Sequence, residues 1–241
     1  MVSRLTLAKL HSGSNMKFEY FAGEQRTKPW YELRIGKVTA SRLADWMATS
    51  KAKATVGKPL KPRLDYEKEL IFERQFGVAY ENYVSSAMQD GIDFENFLVS
   101  QYEKTKGVKV VPVGAWYNDV FLASPDGGVA DEGLLEVKVV RDNSFTEVLV
   151  SGVPDKHWKQ IQGQLFASGR KWCDYVVGNL NTRKFKIIRV LPDEEFHEYL
   201  ELALQEQLVT AEFDTADLFD FVDVLPEGAA ESEVKESNFG F

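Results

Sequence analysis

The sequence predicts an α/β (α+β) domain, and three observations carry that reading. Runs rich in Val, Leu, Ile and Phe, with the length of strands, recur between residues 108 and 191. Segments with helical apolar spacing precede, interrupt and follow them. Glycines and capping residues bound several of the helical segments. At 241 residues, with 44% apolar and 12% aromatic content, the chain can bury one sizeable core.

Residues 1–15 are polar, Ser-rich and aperiodic, and read as a flexible leader with Met16 as an alternative start. Next comes Trp30-Tyr31-Glu32-Leu33-Arg34-Ile35-Gly36-Lys37-Val38-Thr39-Ala40-Ser41, followed by Leu43, Trp46 and Met47 at helical spacing. Thr39 is a reasonable N-cap, so a short helix starts near Ala40 with Ser41 in its first turn. With Arg34 arriving from the preceding segment, this is either an anion pocket at a helix N-terminus or a plain cap beside a surface arginine. Between Trp46 and Leu64 there is no acid, while Lys51, Lys53, Lys58, Lys61 and Arg63 cluster in a loop marked by Gly57, Pro59 and Pro62. The cluster either contacts phosphates or is a solvated charged loop.

Leu64 to Phe76 has a helical period through Leu70, Ile71 and Phe76, and Tyr80 to Met88 reads as a second packing helix. A third helical segment runs from Gly91 to a stop at Gly107, with Phe94, Phe97, Leu98 and Tyr102 as its buried stripe. Glu95 sits at the border of that stripe, where it either reaches inward or stays exposed. Val108 to Val113, Val120 to Ala123, Leu134 to Val140, Tyr175 to Leu180 and Phe185 to Leu191 read as strands. A helix from Asp155, as N-cap, to Ala167 stops at Gly169 and buries Trp158, Ile161 and Leu165. On a neighbouring face Gln160, Gly163, Gln164 and Ala167 lie in line, and the small residues permit close approach to the sheet. His157 is read as structural. Pro192-Asp193-Glu194-Glu195 opens the last helix, with Phe196, Leu200, Leu204 and Leu208 inward.

The stretch from Ser124 to Lys138 carries the most chemistry. Asp126 follows a Ser-Pro turn, Gly127 and Gly128 mark a further turn, and an apolar strand then holds Glu136 and Lys138. Side chains alternate along a strand, so Leu134, Glu136, Lys138 and Val140 share one face and Leu135, Val137 and Val139 the other. Charges on a buried strand are costly unless they meet each other or a metal. Asp126 and Glu136 are hard oxygen donors of the kind Mg²⁺ prefers, and Lys138 is close enough to orient or deprotonate a metal-bound water. The triplet alone decides nothing, because Glu233-Val234-Lys235 repeats it with no strand around it. An exposed strand with a polar face stays open on these residues.

Composition narrows the function. No run of 18 uncharged apolar residues and no N-terminal signal pattern is present, so the chain reads as soluble and intracellular with no membrane partner. One cysteine, Cys173, excludes an internal disulfide framework and a Cys-based metal site, and three histidines leave carboxylates as the plausible ligands. From Glu212 to Phe241, nine acids against one lysine account for the whole net charge of −8, leaving residues 1–211 neutral. The acidic 212–241 tail therefore does not argue against a nucleic-acid partner.

Four motifs in order resemble one family: Arg34-Ile35-Gly36-Lys37-Val38-Thr39-Ala40-Ser41, Gly91 to Glu95, Ser124-Pro125-Asp126-Gly127 with Glu136-Val137-Lys138, and Gln160-Ile161-Gln162. Together they resemble the PD-(D/E)xK nuclease core and, at closer range, the phage-type alkaline exonucleases related to lambda exonuclease and the YqaJ recombinases. The resemblance covers Trp30 to Leu208. It implies a restriction-endonuclease-like central mixed β-sheet flanked by helices, in a single nuclease domain at 16–211.

By that resemblance Asp126, Glu136 and the backbone carbonyl of Val137 hold Mg²⁺, with Mn²⁺ as the substitute, and Glu95 supports a second ion. Lys138 activates water, Gln160 helps to place it, and Arg34, Ser41 and Ser124 grip a 5′-phosphate. Two ions about 3.5–4 Å apart stabilise both the incoming hydroxide and the leaving oxygen. The implied activity is 5′→3′ degradation of one strand of linear duplex DNA, leaving 3′ overhangs for recombination. A ring-shaped homotrimer, a single-strand annealing partner and a place in the bacterial or phage-infected cytoplasm complete the expectation. The chain departs from the family pattern at Gly163, where an aromatic or polar group is common, and Asp119 matches an upstream acid only loosely. An endonuclease on the same core and a non-catalytic DNA-end-binding protein are the competing functions.

Overall fold

The α/β class is as expected, with strand-forming runs paired into two mixed sheets flanked by helices, and most of the candidate chemistry gathers where one strand of the larger sheet stops short. The computed structural model describes residues 16–80 and 87–214. The leader, most of the expected Tyr80–Met88 helix and the tail beyond residue 214, including Glu233 to Lys235, lie outside the described residues. In chain order the elements are β1 (Glu19–Phe21), α1 (Lys28–Arg34), β2 (Val38–Thr39), a 3-10 turn (Ala40–Arg42), α2 (Leu43–Trp46) and α3 (Lys61–Phe76). Then come α4 (Ala87–Lys106), β3 (Val110–Val111), β4 (Ala115–Tyr117), β5 (Phe121–Ala123), β6 (Gly127–Val129) and β7 (Gly133–Val140). The chain continues through α5 (Asp142–Ser151), α6 (Asp155–Ser168), β8 (Trp172–Asn179), β9 (Phe185–Val190) and α7 (Glu194–Asp214).

The larger sheet has the order β3-β6-β7-β8-β9, and the smaller has the order β1-β4-β5-β2. β7 lies parallel to β8, with Glu136 opposite Tyr175, and antiparallel to β6, with Gly127 opposite Leu135. Its alternation is as expected. Leu134 packs with Ile161, Leu165 and Tyr175 on the α6 side, while Leu135 and Val137 pack with Phe94, Leu98 and Tyr102 of α4 on the other. Burial of apolar side chains on both faces makes β7 a central strand, which fixes where its charges point.

Several expectations change. Gly127 and Gly128, expected as a turn, form strand β6, because a Cβ at Gly127 would lie 2.3 Å from Val110 Cγ1 and only glycine admits β3 so closely. Lys61 and Arg63 belong to α3 rather than to the loop, since Pro62 suits the first turn of a helix. On α3 Tyr66 and Leu70 are buried, whereas Ile71 and Phe76 are exposed. On α4 Phe94, Leu98 and Tyr102 are buried but Phe97 is 42% exposed, stacked on Phe94. α1, α5 and the strands of residues 19–21, 38–39 and 115–117 are additions to the sequence reading. Thr39 does flank the helical segment from Ala40, without a side-chain capping bond.

Candidate active site

Glu136 is the centre of the site. Its side chain is wholly buried, and three donors converge on its carboxylate. Lys138 Nζ donates to Oε1 at 2.5 Å, Gln160 Nε2 to Oε1 at 2.6 Å, and Gln164 Nε2 to Oε2 at 2.7 Å. Both glutamines come from one face of α6, a helical turn apart, so a single helix clamps the acid of β7. A buried carboxylate needs such partners, because an unpaired one costs several kcal/mol. Burial opposes the charge on Lys138, but Glu136 and then Asp126 outweigh it and raise the proton affinity of its amine.

Asp126 stands at the backbone edge of β7, just before β6. Its N–H donates to Leu135 O at 3.1 Å, and its Oδ2 accepts from the Val137 N–H at 2.7 Å. Residues two apart on a strand direct their backbone groups to the same edge, so the Val137 carbonyl points, like that of Leu135, toward the edge where β6 ends. The Asp126 carboxyl is crowded by protein yet open to the solvent of the cleft. Crowding, and next the charge of Glu136, raise its proton affinity above the ordinary carboxylate range.

A cleft of about 470 Å³ opens beside this edge, lined by Glu95, Asn96, Asp126 and Val137 together with the Glu24–Arg26 segment. Glu95, from α4, faces Arg26 across it at 3.4 Å. Among the described residues no three Asp, Glu, His or Cys side chains are gathered closely enough to hold an ion. The donor set nevertheless suits a hard cation: a solvent-open carboxylate, a strand-edge carbonyl and a carboxylate with one lone pair unused, all oxygen. Glu95 lines the same cleft and lies near enough to add to the charge felt by Asp126 and Lys138. The residues therefore fit a divalent ion such as Mg²⁺.

Two of the three candidate phosphate ligands, Arg34 and Ser124, meet at one aromatic ring, while Ser41 contacts Thr39 instead. The Arg34 guanidinium lies over Trp30, 4.4 Å from the ring centroid, and Trp30 Nε1 donates to Ser124 Oγ at 3.0 Å. Ser124 in turn donates to Gly114 O at 3.0 Å. Ser41 Oγ lies 3.3 Å from Thr39 Oγ1, which is 3.4 Å from the Tyr66 hydroxyl, and Tyr66 stands beside Arg34. Burial lowers the proton affinity of Arg34, with Tyr66, Glu73 and Tyr31 opposing. Gly36, at φ +70, makes the turn that brings Arg34 and Ser41 to one region, and Glu73 and Arg74 of α3 clamp its backbone.

The basic cluster divides. Lys51, Lys53 and Lys58 are exposed on a loop closed by the Thr49–Pro59 bridge. Lys61 pairs with Asp65 and Arg63 with Glu67, one turn along α3, so neither is a free cation of the loop. Gln162, part of the glutamine motif, bonds elsewhere than Glu136 and ties α6 to the connection between β9 and α7, donating to Leu191 O and accepting from the Asp193 N–H. His157 bonds Tyr175 through Nδ1 at 2.7 Å, and burial and then Lys138 lower its pKa to about 4, which keeps it neutral. Asp119 is exposed between β4 and β5, where its charge acts on Lys37.

Three residues of the site were not singled out from sequence. Trp30 joins Arg34 to Ser124. Gln25 donates through Nε2 to Val113 O and Pro125 O, both at 2.8 Å, and so holds the residue preceding Asp126. Arg26 faces Glu95. Each acts across about 70 to 100 positions of chain, and a single Gln, Arg or Trp has no local pattern that announces this.

A family model described as the YqaJ-like viral recombinase domain matches residues 29–171, more than half of the chain. The chain belongs to this YqaJ-like family. The alkaline exonuclease LHK-Exo of Laribacter hongkongensis is 32% identical over 80% of this YqaJ-like chain and 96% of its own, with a TM-score of 0.68. The same exonuclease in complex with dAMP gives a TM-score of 0.69 at the same identity and coverage. A phage-related exonuclease from Haemophilus somnus shares 16% identity over 76% of this chain and 94% of its own, with a TM-score of 0.56, a likeness of fold. No curated protein matches the YqaJ-like chain. No helix among its described residues is long and apolar enough to cross a membrane.

Proposed function

We propose that the protein is a Mg²⁺-dependent DNA exonuclease that degrades one strand of linear duplex from its 5′ end and leaves 3′ overhangs for recombination by single-strand annealing. The carrying observation is the buried Glu136, held by Lys138, Gln160 and Gln164 beside the solvent-open Asp126. In a chain 32% identical to an alkaline exonuclease, that constellation supports phosphodiester cleavage.

The residues divide the work as follows. Arg34, Ser41 and Ser124 hold the terminal 5′-phosphate, Arg34 by charge-assisted bonds from a guanidinium that lies over Trp30. Asp126, Glu136 and the Val137 carbonyl hold one divalent ion, and Glu95 joins in holding a second. When bound, the ions neutralise developing phosphate charge and favour ionisation of water, with Mn²⁺ able to substitute for Mg²⁺. Lys138 orients the attacking water, and Gln160 and Gln164 keep Glu136 aimed. Lys51, Lys53 and Lys58 contact the duplex backbone. The working form is a ring of three chains acting beside a single-strand annealing protein in the cytoplasm, which light scattering on purified protein and partner pull-down test.

Linear duplex labelled at either 5′ end, incubated with Mg²⁺ or EDTA, tests the reading directly. Release of 5′-terminal mononucleotides in Mg²⁺ alone is expected, with closed circular duplex left intact. Rapid nicking of closed circles would mean an endonuclease. Lys138→Ala is expected to abolish cleavage while retaining DNA binding; a variant that still cuts would remove Lys138 from the chemistry.

A further inference from the structure

Arg26 stands at an unusual place. Its φ of +64° lies in the left-handed region, which costs a non-glycine residue about 1–2 kcal/mol, and the surrounding turn holds it there. On one side Gln25 is pinned to Val113 O and Pro125 O, and on the other Thr27 Oγ1 donates to Glu24 O at 2.7 Å before α1 begins. The strained turn projects Arg26 over the cleft that holds Asp126 and Val137.

Arg26 is the one cation among the described residues lining that cleft, which otherwise present Glu24, Glu95 and Asp126. Lys138, the other nearby cation, is committed to Glu136. Arg26 has a looser hold: one guanidinium nitrogen lies 3.4 Å from Glu95, with side chains 53% and 34% exposed. Such a pair is weak and easily exchanged. A carboxylate-lined cleft repels a polyanion, so a strand entering it needs a positive group with free donors.

We propose that Arg26 is a ligand for a backbone phosphate of the substrate strand, held in reserve by Glu95 until a divalent ion takes that carboxylate. The inference rests on the nuclease reading above. Before the ion arrives, Arg26 neutralises Glu95. When the ion takes Glu95, the guanidinium is released with its fork of donors beside the phosphodiester being positioned. Arg26 thus competes with the metal for Glu95 and cooperates with it for DNA.

These two effects have opposite signs, which a merely structural role does not produce. Arg26→Gly removes the guanidinium and suits the left-handed backbone; Arg26→Asn, also tolerant of that region, is the second variant should the first not fold. Mg²⁺ is titrated into each protein without DNA by calorimetry, and a 5′-phosphorylated blunt duplex is titrated in Ca²⁺ by fluorescence anisotropy. The variant is expected to bind Mg²⁺ more tightly, up to about fivefold, and the duplex about tenfold more weakly. Unchanged or weaker Mg²⁺ binding, or unchanged duplex affinity, overturns the assignment. Wild-type protein that fails to digest linear duplex in Mg²⁺ overturns the nuclease reading instead, so the two failures are told apart.

Discussion

Gln164 donates to Glu136 Oε2 at 2.7 Å from one turn beyond Gln160, so the buried acid is held on both oxygens by one helix. Gln164→Ala removes the sole donor to Oε2 among the described contacts and leaves that oxygen free to swing. A loss of about 10- to 100-fold in activity or Mg²⁺ affinity is expected, typical of groups that orient a ligand. Steady-state digestion rates across a Mg²⁺ titration check this. A variant with wild-type kcat and metal dependence would make Gln164 only a packing residue.

Arg34 and Ser124 meet on Trp30, which predicts dependence on the chemistry of the DNA end. Duplex with a 5′-phosphate should be degraded faster than duplex with a 5′-hydroxyl, and Arg34→Ala should erase most of that difference. The effect corresponds to the loss of one or two charge-assisted bonds, about 1.5–3 kcal/mol each. Equal rates for the two ends in the wild type would remove the pocket.

Lys51, Lys53 and Lys58 project from the loop, whereas Lys61 and Arg63 already have acidic partners. Replacing the three loop lysines by alanine should weaken duplex binding for every sequence and lower the slope of log K against log salt by up to about 3. The same treatment of Lys61 and Arg63 should change the slope little. Anisotropy titrations from low to moderate salt distinguish the two sets.

The ion pair of Asp174 predicts a contribution to stability that acid removes. Burial disfavours its charge, but paired bonds from Arg189 at 2.8 and 2.9 Å and one from Tyr102 at 2.7 Å outweigh it, and its proton affinity falls below the ordinary value of 3.8. A group more acidic when folded stabilises the fold above its unfolded pKa and loses that contribution as pH drops through the folded one. Asp174→Asn should therefore cost about 2 kcal/mol at neutral pH, and its Tm deficit should shrink below about pH 4. Thermal melts between pH 7 and 3 read this out; a constant deficit would show that the ion pair is not its source.

The two elements best read from sequence are those with dense local pattern. β7 alternates apolar residues on both faces, so the direction of Glu136 and Lys138 followed from parity alone. α6 announced itself by its acid at the start, Gly169 at the end and the Ile161–Leu165 stripe. β6 was hidden because Gly127 and Gly128 carry turn signals, while their actual cause is the close approach of β3. Phe97 followed helical spacing, yet it faces solvent because the period specifies a stripe without fixing its edges. The division into two sheets and the bonds made by Gln25, Arg26 and Trp30 depend on contacts between distant segments, for which no short window holds a signal.

Gly163 shows how much one missing side chain can specify. A Cβ there would lie 2.5 Å from Leu43 Cδ1, 3.1 Å from Phe121 Cζ and 3.4 Å from Ala40 Cβ, so α6 presses against the turn that carries Ser41. The departure from the family pattern at this position is thus a matter of close packing. The same helix holds Glu136 through Gln160 and Gln164 on either side of that glycine. On the proposed function, one helix thus spaces the turn of Ser41 from the acid of β7, and a methyl group at position 163 would push the two apart.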